Sequence, residues 1–204
     1  MAKPALKVHD DLTRRALAIS RHITRVSAAH SSGQLNSSDL DQAYSGAYLA
    51  WFTALENSIE DLFLGLLVGT YRSRGFSGSR IVVRSRATAA SVIRNKKKGY
   101  IDWFPYQEST QRLAEVYLVG GRPFTSVSRE DEGLFRRMLL IRNAVAHDSD
   151  HALKQFRSSL VDGLGLPSWQ HKPGGYLRGI QSGSQTRFDS LMAEGLKAIE
   201  GLCH

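Results

Sequence analysis

Residues 37–72 read SSDLDQAYSGAYLAWFTALENSIEDLFLGLLVGTYR, and the spacing of their apolar side chains decides the fold class. Tyr44, Tyr48, Trp51, Leu55, Ile59, Leu62 and Leu66 recur at three- and four-residue steps, the period of one helix face. Ser37, Ser38 and Asp39 precede the pattern, and each could accept a hydrogen bond from a free N–H of a first turn. The spacing predicts one long helix over residues 37–72, its aromatic and aliphatic stripe buried in a core.

The segments on either side carry the same period. Leu12, Ala16, Ile19 and Ile23 predict an amphipathic helix over residues 9–30, broken near Gly33. Helices are also expected over 87–94, 106–118, 150–160 and 184–202. Ser128-Arg-Glu-Asp131 reads as a capping signature opening another one, with acids where the helix dipole favours them. Residues 161–183, rich in glycine and holding Pro167 and Pro173, read as loop, and Arg80–Ser85 as a short strand. The expected architecture is all-α: a single helical domain over 1–204, its core in residues 10–160, with a basic loop insertion and a C-terminal helix. No apolar run is long enough to span a bilayer, since Leu62–Val68 is flanked by Glu60, Asp61 and Arg72. With no apolar leader at the start and a single cysteine, Cys203, a cytoplasmic protein is expected.

The net charge of +8 is unevenly spread. Arg72 to Lys98 holds nine basic residues and no acidic one, leaving 18 basic against 19 acidic elsewhere. Such a segment attracts a polyanion through phosphate contacts and counterion release. Arg84, Arg86, Arg94, Lys96, Lys97 and Lys98 are its RNA-binding candidates. Tyr100, Trp103, Phe104 and Tyr106 follow directly; they could stack on bases, but packing against the long helix is the expected role.

The chemistry-bearing stretch is LFRRMLLIRNAVAHDSD, residues 134–150. At 100° per residue, Leu134, Phe135, Met138, Ile141 and Val145 share one stripe, and Arg142 falls on it too. Asn143 and His147, four residues apart, share the opposite face. A guanidinium facing a core needs a partner, and Glu56, embedded in the long helix, is the candidate. A bare Arg-x4-His spacing is weak, because Arg25 and His30 repeat it. Asn143, one turn before His147, and the apolar helix around it single out the later copy. A metal site at His147, Asp148, Asp150 and His151 lacks cysteine ligands and the glutamate of a His-Glu-x-x-His motif, so no metal or cofactor is expected.

In AWFTALENSIEDLFLGLL (50–67) followed by LFRRMLLIRNAVAHD (134–148), the chain resembles the HEPN-domain proteins, in particular prokaryotic stand-alone families associated with toxin and defence systems. The resemblance implies a helical bundle that dimerises, pairing two Arg-x4-His motifs in a composite cleft, and metal-independent endoribonuclease activity in many members. Other members only bind, as a nucleic-acid-binding or scaffold subunit. One subgroup carries a nucleotidylated tyrosine two residues after the histidine, where this chain has Ser149.

The residue chemistry points the same way. RNA supplies its own nucleophile, the 2′-OH beside each phosphate. His147 can move the proton, Arg142 can clamp phosphate oxygens and Asn143 can orient either. Ends with a 2′,3′-cyclic phosphate and a 5′-OH are expected. One histidine per chain supplies both acid and base only if two chains share the cleft. The partners expected are RNA, a second copy, and an antitoxin or other defence-system protein.

Overall fold

The computed structural model describes residues 2–94, 99–147 and 149–204. The chain is all-α. Its elements run β1 (Lys3–Pro4), α1 (Leu6–Ser31), α2 (Ser37–Leu67), β2 (Tyr71–Arg72), α3 (Arg86–Ile93), α4 (Arg112–Tyr117), α5 (Arg129–Ala146), α6 (Asp150–Leu160), α7 (Pro173–Arg178), β3 (Ile180–Ser182), β4 (Gln185–Thr186) and α8 (Arg187–Cys203). No helix is long and apolar enough to cross a membrane among the described residues.

The long helix forms as its period requires, with two differences at its ends. Its cap is Asn36, one residue before the predicted serines. The Asn36 side chain accepts from the backbone N–H of Ser38 and Asp39, at 2.8 and 3.0 Å, and the Asp39 carboxylate accepts from Asn36 N–H, a reciprocal capping box. At the other end the helix stops at Leu67 rather than near residue 72, because Gly69 takes a positive φ of 73°.

The chain divides into two compact units. The first comprises residues 1–13, 55–136 and 195–204. Its core is built on Phe63, whose ring lies 5.1 Å from Phe124 and 5.3 Å from Trp103 between centroids. Tyr106 stacks on Phe135 at 4.7 Å. Trp103, Phe104 and Tyr106 are therefore buried, and the Trp103 indole N–H donates to Glu60; only Tyr100, 58% exposed, is open to solvent. Beyond α2 the chain pairs β2 with β1 in a two-residue parallel ladder. A Cβ on Gly65 would sit 2.0 Å from the Tyr71 ring, so glycine is what lets that ring lie on α2. The Tyr71 hydroxyl then donates to Asp61, at 2.8 Å. The expected strand at 80–85 does not form. A single bridge, Ser79 to Leu118, takes its place, and Val82 is 95% exposed. The expected helix at 106–118 starts with a π-helical turn, Gln107–Gln111, before α4.

Cys203 is buried in this unit. Burial pushes its thiol from the ordinary 9.0 up to about 12, a hydrogen bond from the His9 backbone opposing part of the shift. Burial and the bond to Asp61 likewise raise Tyr71 to about 12. The folded chain holds both protons over a range where the unfolded chain releases them, so unfolding is favoured as pH rises from 9 toward 12. Well below pH 9 neither group contributes a slope. A thiol-specific reagent at pH 8 should accordingly label Cys203 slowly in the native protein and completely in denaturant; equal rates in the two states would contradict this placement.

The second unit comprises residues 14–54 and 137–194. Tyr44 and Tyr48 of α2 each meet the ring of Phe188 on α8 edge-on at 6.1 Å. The Tyr48 hydroxyl donates to the carbonyl of Met138 on α5, at 2.6 Å. The segment expected to be loop, 161–183, is largely ordered as a 3₁₀ turn (Ser168–His171), α7 and the β3–β4 hairpin. Two arginines organise it. Arg178 pairs with Asp41 while lying 4.1 Å from the centre of the Trp169 ring, and Arg187 donates to Gln170 while lying over Tyr176. The last helix starts at Arg187, three residues later than expected, because Thr186 and Asp189 cap it reciprocally.

Candidate functional site

The end of α5 is set by two caps. Ser128 opens the helix by accepting from Asp131 N–H at 3.1 Å, with Glu130, Asp131 and Glu132 in the first turn. At the far end Ser149 caps α6, accepting from Ala152 N–H at 3.3 Å, and that forces α5 to stop at Ala146. His147 stands in the junction, held by its own N–H donating to Asn143 O at 2.9 Å and its carbonyl accepting from Ser149 N–H at 2.8 Å.

This junction brings the three motif side chains together. Arg142 Nη1 donates to Asn143 Oδ1 at 3.4 Å and lies 3.2 Å from His147 Nε2. An arginine only donates, so a hydrogen bond at this contact uses Nε2 as the acceptor, as in the tautomer that carries its proton on Nδ1. Arg142 and Asn143 are half-buried and His147 is exposed. The two opposite faces expected from a straight helix are thus replaced by one cluster. His147 follows the last residue of α5, and its ring lies within hydrogen-bond reach of the guanidinium. The buried face of α5 also turns along its length. Met138, Ile141 and Ala144 are buried, while Arg142 and Val145 are half-buried. The cost of a guanidinium in an apolar core does not arise.

The other sequence candidates fall out as follows. Glu56 is half-buried on α2 and belongs to the first unit; Arg142, which contacts Asn143 and His147, belongs to the second. Arg84 and Arg94 are exposed. Arg86 is committed to Asp61, pairing with its carboxylate and donating to its carbonyl at 3.0 Å, so it fastens α3 to α2 within the first unit. Lys96, Lys97 and Lys98 lie outside the described residues. The second Arg-x4-His spacing does not converge. Arg25 is exposed, and the His30 ring lies 3.4 Å from Ser37 Oγ. Among the described residues no three His, Cys, Asp or Glu side chains gather as a metal-binding group; Asp148 lies outside them.

Comparison of the chain with protein-family models, with curated proteins and with solved structures returns no match. The functional reading therefore rests on the Arg142–Asn143–His147 cluster itself. A fixed cation stands beside an imidazole at the surface, with an amide oxygen on the same guanidinium. That arrangement can hold an anion at Arg142 and accept a proton at His147 Nε2.

Proposed function

We propose that the chain is a metal-independent endoribonuclease of the HEPN type, acting as a toxin or defence effector. The observation that carries this reading is the 3.2 Å contact between the Arg142 guanidinium and the exposed His147 Nε2. An RNA phosphate entering the site would take over the Arg142 donor. The Nε2 lone pair released by that exchange faces the adjacent 2′-OH and takes its proton. The 2′-oxygen bonds to phosphorus, the P–O5′ bond breaks, and the leaving 5′-oxygen takes up a proton. Arg142 stabilises the charge that grows on the phosphorane, and Asn143 fixes the guanidinium.

The products are a 2′,3′-cyclic phosphate and a 5′-OH. The proton delivered to the leaving group needs a second donor, and each cluster holds one histidine. A homodimer sharing one cleft supplies it. An inhibitory antitoxin or a defence-system partner fits such an activity in a cytoplasm, where an unrestrained ribonuclease is toxic.

Incubation with a mixed RNA in EDTA tests the proposal. Cleavage undiminished by the chelator is the expected result. RNA left intact with and without added divalent metal would contradict it and favour the other reading of the same cluster, a non-catalytic HEPN dimer serving as a nucleic-acid-binding or scaffold subunit.

A further inference from the structure

The net charge hides a second basic element. From Arg14 up to Asp39 the chain contains Arg14, Arg15, Arg21 and Arg25, together with His22 and His30, and no acidic residue. The acids elsewhere in the chain cancel these charges in a whole-chain sum, but they do not lie on this stretch. All of α1 from Arg14 onward belongs to the second unit, the one that also holds Arg142, Asn143 and His147.

Helical geometry sorts these residues. Taking Arg21 as reference, Arg14, Leu17, Arg25 and Ala28 fall within about 40° of it. The structure has an open groove of about 650 Å³ on this face, lined by Leu17, Ala18, Ser20, Arg21, Thr24 and Arg25. Arg21 and Arg25 are exposed, and neither makes an ion pair among the described residues. Leu17 stands between them and the start of the face, 52% exposed. Thr24 turns its hydroxyl back onto the Ser20 carbonyl at 3.0 Å, which leaves a methyl as the free end of its side chain.

We infer that this face of α1 binds the phosphodiester backbone of a single-stranded nucleic acid, with Arg21 and Arg25 on successive phosphates and Leu17 against a base. The two arginines are one turn apart, roughly 6 Å along the helix, close to the step between neighbouring phosphates of one strand. An arginine fork suits a phosphate better than a lysine does. Charge selects the occupant. A second copy of the same face would set arginine against arginine with no acid to pair, whereas a polyanion neutralises both and releases counterions. For RNA, the inference rests on the nuclease reading and names how the strand is held; the binding itself does not depend on chemistry at His147.

The test is the affinity of fluorescently labelled single-stranded oligonucleotides of one sequence, as 2′-O-methyl RNA and as DNA, read by anisotropy over a range of salt. Neither probe has a free 2′-OH, so neither can be cut by the proposed route. Arg21→Ala/Arg25→Ala keeps a strong helix former at both exposed positions. It should weaken binding about ten-fold and reduce the log–log salt slope by about 1.4, since each phosphate contact on a single strand contributes about 0.7. Lys154→Ala/Lys197→Ala, exposed lysines with the same loss of charge, should leave both nearly unchanged. An equal loss for the two probes assigns the contact to the backbone alone, and a larger loss for 2′-O-methyl RNA assigns it to an RNA-shaped strand; either supports the inference. Affinity and slope matching the lysine control would overturn it. So would a variant that loses binding to phosphatidylserine vesicles, or loses dimerisation, while holding the oligonucleotides as wild type does. Wild type that binds both probes through these arginines yet never cuts RNA would refute the nuclease reading alone.

Discussion

His147→Ala is expected to slow RNA cleavage about 10²- to 10⁴-fold, the range for removing a positioned general base. Arg142→Ala is expected to slow it about 10²- to 10³-fold, as for removing one group that stabilises charge in the transition state. The loss should appear in kcat more than in KM, because both groups act on charge and protons that move only as the phosphorane forms. Arg142→Lys should not restore the rate. A lysine ammonium is a compact charge without the planar fork that can hold a phosphate oxygen while keeping Asn143 Oδ1 on a second N–H. Stability separates these effects from unfolding. His147 is exposed and Arg142 half-buried, and their mutual hydrogen bonds lie at a helix end, so His147→Ala should change stability by no more than about 0.5 kcal/mol. Initial rates on a labelled RNA, with thermal unfolding of the same preparations, check both halves. A His147→Ala protein that cuts as well as wild type would remove the site.

The largest structural effect is expected from Phe63→Ala. Phe63 is fully buried and its ring meets both Trp103 and Phe124. Truncation removes the transfer energy of a phenyl ring and leaves a void that the two remaining rings cannot close without turning. The expected cost is about 3–5 kcal/mol, a large share of the roughly 5–15 kcal/mol that holds a domain folded. Turning Trp103 would also strain the bond from its indole N–H to Glu60, at 2.9 Å. Urea unfolding followed by tryptophan fluorescence reads the loss as a shift of the midpoint. A shift worth less than about 1 kcal/mol would mean that the first unit is not built on this aromatic cluster.

What could be read from the residues, and what could not, follows the range of the interactions. The body of α2 was legible because its stripe is a local pattern repeated over about six turns. Its Asn36 cap was not, since four polar residues in a row offer the same chemistry and only the backbone geometry chooses among them. The segment 161–183 looked like loop because glycine and proline are local signals, while what orders it is remote in sequence: Arg178 reaching Asp41, and Phe156 meeting Tyr176 at 5.3 Å. The candidate site shows both cases. Its three residues could be picked out from type, spacing and the apolar helix that carries them. Their arrangement could not, because a helical projection continued through His147 separates it from Arg142. Ser149 and Asp150 carried the missing signal: an N-cap two residues beyond the histidine leaves no room for α5 to continue. The arginines of α1 were concealed by summing charge over the whole chain, and a window the length of one helix reveals them.

The central claim is that Arg142, Asn143 and His147 cut RNA using the RNA's own 2′-OH. Mass spectrometry of the ends left on a defined oligoribonucleotide, incubated in EDTA with wild type and with His147→Ala, tests it most directly. The account predicts new 2′,3′-cyclic phosphate and 5′-OH ends with wild type, none with His147→Ala, and no cutting at a position blocked by 2′-O-methylation. Intact RNA with wild type, 5′-phosphate ends, or the same ends from the His147→Ala protein would contradict it.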